Sequence, residues 1–198
     1  MSEDKYKNKY RIPATRLHGY DYGSNGCYYV TICTKNHVHY FGEIVDGEMQ
    51  LSAIGKIAQL EWLKTTELRQ DMNLLLDEFI VMPNHFHCIV YIGDNEYNTQ
   101  SRRDAMQCRD AMHCVSTTTP TAPYKNKFGS QSKNLASIMR GFKIAVTTYA
   151  RKNNIDFAWQ ERFYDIIIRN QNALDNVRRY IINNPQSWEN DKFNEENV

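Results

Sequence analysis

Residues 79–92 read Phe79-Ile80-Val81-Met82-Pro83-Asn84-His85-Phe86-His87-Cys88-Ile89-Val90-Tyr91-Ile92: two apolar runs broken at Pro83-Asn84, with two histidines opening the second. Side chains alternate across a strand, so His85 and His87 share one face while Phe86, Cys88, Val90 and Ile92 take the other. Two imidazoles on one strand face have a metal-ligand geometry. The break at Pro83 joins Leu74–Met82 to Phe86–Ile92 as a β-hairpin that delivers the histidines at the start of its second arm. Far downstream, Val177 to Asn184 reads as helix. There Tyr180 and Asn184, four residues apart, present a phenol and an amide carbonyl together. We read the two pairs as parts of one catalytic site.

Outward from the hairpin, Gly26 to Thr34 is rich in Tyr, Val, Ile and Thr and reads as a strand, and Phe41 to Leu51 as a short hairpin turning at Asp46-Gly47. Ser52 to Lys64 carries a helical stripe with Ser52 available as its cap. Leu135 to Arg151 has apolar residues at spacings of three and four, which makes an amphipathic helix with Arg140, Lys143 and Arg151 outside the stripe. Asn172 to Asn183 is the last clear helix, and Pro185 stops it. The expected fold is α/β (α+β): one domain over residues 1–198, an antiparallel sheet with helices packed on one face.

The 198 residues are 41% hydrophobic, enough for one domain with its own core. No uninterrupted apolar stretch is long enough to span a membrane, and Met1 to Lys7 is charged with no apolar segment behind it, so a cytoplasmic protein is expected. Five cysteines without a CxxC pair indicate neither disulfides nor a cysteine zinc site. The formal net charge is only +1, yet residues 125–179 hold 11 Lys and Arg against 4 Asp and Glu. A local basic surface can neutralise phosphates whatever the rest of the molecule carries. Residues 94–132 read as a low-complexity insertion, since Arg103-Asp104-Ala105-Met106-Gln107-Cys108 is echoed by Arg109-Asp110-Ala111-Met112-His113-Cys114 before a Thr/Pro stretch. Two copies of a six-residue unit cannot build a core.

Met82-Pro83-Asn84-His85-Phe86-His87-Cys88-Ile89-Val90 resembles the histidine-hydrophobic-histidine signature of the single-tyrosine HUH transposases. Trp159 to Asp165, Ile168-Arg169-Asn170 and Tyr180-Ile181-x-x-Asn184-Pro185 resemble the C-terminal signature of one branch, the REP-associated tyrosine transposases. Arg16-Leu17-x-Gly19-Tyr20-Asp21-Tyr22, Tyr29 to Thr34 and Phe41 to Ile44 are similar to that branch's opening. The resemblance runs in order from about Arg16 to Trp188. It implies a ferredoxin-like or RRM-like arrangement and nicking and rejoining of single-stranded DNA at hairpin-associated sites.

Such cleavage needs a nucleophile, and a phenol with a reference pKa near 10 is a poor one at neutral pH without a cation beside it. His85, His87 and the side-chain oxygen of Asn184 would offer a divalent ion two nitrogens and one oxygen, leaving positions for a phosphate oxygen and water. The resemblance implies Mg²⁺ or Mn²⁺, with Tyr180 attacking to give a 5′-phosphotyrosine and a free 3′-hydroxyl. Among the rival tyrosines, Tyr149 continues an apolar stripe and Tyr164 has Ile168 where Tyr180 has Asn184. Arg140, Lys143, Arg162, Arg169, Arg178 and Arg179 are the expected phosphate contacts, with Tyr20, Tyr22 and Trp159 as candidates for stacking on bases. The expected partner is single-stranded or hairpin DNA, bound by a monomer or homodimer. A DNA-hairpin-binding protein or repressor that no longer cuts is the alternative.

Overall fold

The computed structural model describes residues 17, 20–99, 132–191 and 193–194. Along the chain run β1 (Gly26–Cys33), β2 (Gly42–Val45), β3 (Glu48–Leu51), α1 (Ala53–Leu63), α2 (Thr65–Leu68), β4 (Leu74–Val81), β5 (His85–Ile92), α3 (Leu135–Lys152), β6 (Tyr164–Ile168) and α4 (Gln171–Asn183). Strands β4, β5, β1 and β6 lie side by side in that order, every neighbouring pair antiparallel. With the separate β2–β3 ribbon set aside, the order strand, helix, two strands, helix, strand is ferredoxin-like. The ribbon turns at Asp46 (φ 51°) and Gly47 (φ 76°), both left-handed as a tight two-residue hairpin requires.

The alternation in β5 decides what each face of the sheet does. Phe86, Cys88, Val90 and Ile92 join Tyr28, Val30 and Ile32 of β1 in the main core, beneath Trp62 of α1 and Ile138, Phe142 and Val146 of α3. Phe86 is fully buried, with its ring 5.3 Å from Trp62 and 4.9 Å from Phe142. Ser52 caps α1 by accepting from Gly55 N, and Asn134 and Ser137 form a reciprocal capping box that starts α3 at Leu135. The two crossover helices thus share one face, as expected.

Helix α4 lies on the other face, so the expectation of helices on one face holds for α1 and α3 and not for α4. Its apolar stripe of Leu174, Val177 and Ile181 packs on Cys27, Tyr29, Ile80, Ile89, Tyr91 and Ile168, a second core on the histidine side of the sheet. Asn170 caps this helix two residues after β6 ends, its side chain accepting from Ala173 N at 2.9 Å. A bulge in β4 between Leu76 and Phe79 sets Asp77 and Glu78 against the single residue Ile89. Asp77 there receives a bidentate pair from Arg178 of α4, Nε at 2.8 Å and Nη2 at 2.6 Å. Pro185 ends the α-helix, as expected, but the chain goes on as a 3-10 helix, Pro185–Asn190, and Asn184 keeps helical angles (φ −59°, ψ −42°). That continuity keeps Asn184 one turn from Tyr180.

Of the expected insertion, residues 94–99 are ordered as a turn in which Asn98 is buried and donates to Gly23 O and Gly93 O. The tandem repeat lies outside the described residues. No helix among the described residues is long and apolar enough to cross a membrane.

Truncating the ring at the centre of the main core tests the assignment of faces. Phe86→Ala should lower unfolding stability by about 3–5 kcal/mol, read as a lower urea midpoint at unchanged slope. An unshifted midpoint would show that the α1–α3 face of the sheet is not the main core.

Candidate active site

Both histidines are buried, and each is held by polar groups at Nδ1. His85 Nδ1 lies 2.8 Å from Asn84 Oδ1, while Asn84 Nδ2 donates to His37 O and Phe193 O. Those two donations fix which end of the amide is oxygen. A carbonyl oxygen only accepts, so His85 carries its hydrogen on Nδ1 and its lone pair on Nε2. His87 Nδ1 faces two hydroxyls, Tyr29 at 2.8 Å and Thr31 at 2.9 Å. Each hydroxyl can accept from Nδ1–H or donate to Nδ1, and the tautomer with its hydrogen on Nδ1 is the one that presents a basic Nε2. This is the orientation that outer hydrogen bonds impose on metal-binding imidazoles.

Across from His87 stands Tyr180, its hydroxyl 3.5 Å from His87 Nε2 and its ring 5.2 Å from the imidazole. One turn on, buried Asn184 donates through Nδ2 to Asp191 Oδ2 at 3.1 Å. That turns the carbonyl the other way, and Asn184 Oδ1 is buried with no hydrogen-bond partner among the described residues. A buried carbonyl oxygen without a donor is costly unless something else fills the position, as a cation would. No group of three His, Cys, Asp or Glu side chains able to hold a metal ion occurs among the described residues. The expected set of His85, His87 and Asn184 is not such a group, because its third donor is an amide oxygen.

The Tyr180 phenol is pushed above its ordinary pKa, first by burial and then by the Asp191 carboxylate, with hydrogen bonding from the Asn184 amide N–H opposing them. Phe193 and Trp188 close the His85 side, their rings 4.7 and 5.9 Å from that imidazole. The Tyr180 side opens into a trough of about 800 Å³ whose walls include Tyr29, Thr31, Tyr164, Ile166, Arg179, Tyr180, Asn184 and Asp191.

Asn84, Tyr29, Thr31 and Asp191 are members of this site that the sequence reading does not single out. For Thr31 a signal existed, because antiparallel pairing of β1 with β5 sets it directly opposite His87, with Tyr29 two residues back on the same face. Asp191 follows a 3-10 turn beyond the last helix, and nothing in its surroundings marks it.

The expected phosphate contacts are not gathered in one place. Arg179 lines the trough, its Nη2 2.5 Å from Asn176 Oδ1. Arg178 is engaged with Asp77. Arg140 and Lys143 belong to α3, on the far side of the sheet, and Lys143 Nζ donates to Gln160 O at 2.5 Å, its charge disfavoured by burial. Arg162 and Arg169 are exposed just before and just after β6. Tyr20, Tyr22 and Trp159, the stacking candidates, pack in or against the main core.

No protein-family model matches the chain. An uncharacterized protein of Haemophilus influenzae is 34% identical over 179 residues, covering 90% of each chain. Among solved structures, a REP-associated tyrosine transposase bound to a REP hairpin superposes with a TM-score of 0.53 at 14% identity, over 89% of this chain and 74% of that one. The likeness in structure is one of fold.

The pair that docks α4 makes a pH-dependent contribution. Arg178 holds the Asp77 carboxyl below its ordinary range, so the stabilisation is complete above the unfolded carboxylate pKa, about 3.9, and is lost as pH falls through the depressed value. Asp77→Asn should lower the urea midpoint at pH 7, and the gap from the wild type should close in acid. A gap independent of pH would assign the loss to packing at the bulge.

Proposed function

The chain belongs to one family with the Haemophilus influenzae protein, and for it we propose metal-dependent nicking and rejoining of single-stranded DNA at hairpin-associated sites, the activity of a single-tyrosine HUH transposase. The observation that carries this reading is the Tyr180 hydroxyl placed 3.5 Å from His87 Nε2, one helical turn from the buried carbonyl oxygen of Asn184, which has no hydrogen-bond partner among the described residues. The fold shared with the REP-associated tyrosine transposase agrees with it.

His85 Nε2, His87 Nε2 and Asn184 Oδ1 are the atoms that would hold Mg²⁺ or Mn²⁺; the two nitrogens favour Mn²⁺, since Mg²⁺ prefers oxygen. When bound, the cation supplies charge to polarise the phosphate and to favour the phenolate. The protein's own residues do the rest. Asn84 holds His85 in the tautomer with a basic Nε2, Tyr29 and Thr31 orient the His87 ring through Nδ1, and the Asp191 carboxylate engages the Asn184 Nδ2 and leaves its oxygen buried and available. The Tyr180 oxygen attacks phosphorus as the bond to the 3′ oxygen breaks. The phenol gives up its proton, the departing 3′ oxygen gains one, and the 5′ phosphate stays on Tyr180. Reversal by a 3′-hydroxyl rejoins a strand without a nucleotide cofactor, because the phosphodiester energy is conserved in the intermediate.

A labelled DNA hairpin with single-stranded flanks tests this directly. The wild type should form a covalent adduct that peptide mass spectrometry maps to Tyr180, and Tyr180→Phe should abolish it while hairpin affinity stays within about twofold, since only the attacking oxygen is lost. Hairpin binding by the wild type without any adduct would make the protein a non-cleaving binder or repressor.

His85→Ala and His87→Ala should each lose divalent-ion-dependent nicking, and chelation by EDTA should stop the intact protein. Calorimetric titration with Mn²⁺ should show affinity reduced at least tenfold in either variant. Undiminished nicking in EDTA would remove the metal from the mechanism.

A further inference from the structure

Helix α4 covers only part of the histidine face. It packs toward β4, where Asp77 holds Arg178, and leaves the β6 edge of the sheet open beside Tyr180. There Tyr164 and Ile166, paired in register with Thr31 and Tyr29, point into the trough with 48% and 41% of their surface exposed. Two large side chains left bare on a sheet edge beside a candidate nucleophile are an uncompensated apolar surface. The α4 wall above them carries amides and one cation: Asn176, Asn183 and Arg179. Arg179 donates to Asn176 Oδ1, which leaves Asn176 Nδ2 as the end of that amide free to donate elsewhere.

An aromatic floor, amide edges and the Arg179 guanidinium, with the Asp191 carboxylate kept at the Asn184 end of the trough, match an unpaired nucleotide: a ring to stack, an edge to hydrogen-bond and a phosphate to neutralise. A base inside a duplex is already stacked on its neighbours and has no face to offer. We propose that the trough floor of Tyr164 and Ile166 holds an unpaired nucleobase adjacent to the scissile phosphate, with Asn176 and Asn183 against its edge and Arg179 on its phosphate. The proposal rests on the reading that single-stranded DNA enters this site, and it adds that Tyr164 is a binding residue and not a nucleophile.

The test uses a single-stranded oligothymidylate of about a dozen nucleotides carrying one central 2-aminopurine, and the same strand with an abasic position there. Fluorescence of the 2-aminopurine should be quenched on the wild type and on Tyr180→Phe. Tyr164→Ala should lose the quench and weaken affinity about tenfold, whereas Tyr164→Phe should keep both. The wild type should bind the abasic strand about as weakly as Tyr164→Ala binds the intact one. Equal binding of intact and abasic strands, or a quench that survives Tyr164→Ala, would overturn the proposal. The adduct on the labelled hairpin is scored separately. A quench that depends on Tyr164 without any adduct leaves the subsite standing and removes the nicking reading; an adduct with no dependence on Tyr164 does the reverse.

Discussion

Everything at the site depends on the two-residue period of β5. The imidazoles of His85 and His87 face one way because Phe86, Cys88 and Val90 must face the other, into a core closed by Trp62 and Phe142. A slip of one residue would drive two histidines into that core and three apolar side chains out of it, so the apolar face specifies the register and the polar face inherits it. The same pairing brings Thr31 opposite His87, which places a hydroxyl at Nδ1 without any further device. The common orientation of the two imidazoles is thus a by-product of core packing.

The second partner in the site, Tyr180, depends on how α4 docks. Its start is set by the Asn170 cap directly after β6, and its rotation by the Leu174, Val177 and Ile181 stripe. Arg178 on Asp77 ties it to β4. The bulge in β4 matters here, because the extra residue it inserts gives Asp77 its place in the strand, and an unbroken β4 would shift its side-chain alternation by one.

These layers were unequally legible in the sequence. The hairpin, its faces and the helix bounds were readable, because they rest on local periodicity and on punctuation such as Asp46-Gly47 and Pro185. The pairing of Tyr180 with the histidines was foreshadowed by the i, i+4 spacing to Asn184. Which face of the sheet α4 would take was not, since an apolar stripe says that a helix needs a partner surface without saying which one. Charge gave a misleading grouping: the basic residues after position 125 are neighbours in sequence, yet α3 carries Arg140 and Lys143 to one side of the sheet and α4 carries Arg179 to the other. Asp191 and Asn84 act through hydrogen bonds to functional groups, and such contacts leave no periodic trace.

The electrostatics around Tyr180 favour its neutral phenol. Burial and Asp191 both hold the Tyr180 phenol in its protonated form, while Asp191 also fixes the Asn184 amide with its oxygen inward. One carboxylate therefore acts on two neighbours: it discourages the phenolate and, by engaging Nδ2, leaves the Asn184 oxygen without a donor among the described residues. The opposition resolves once positive charge sits among His85, His87 and Asn184, because a dication near the phenol oxygen favours the phenolate that Asp191 opposes. On this account the polar network does not make Tyr180 nucleophilic by itself. In the proposed reaction, activation of the phenol would fall to a cation held by His85, His87 and Asn184.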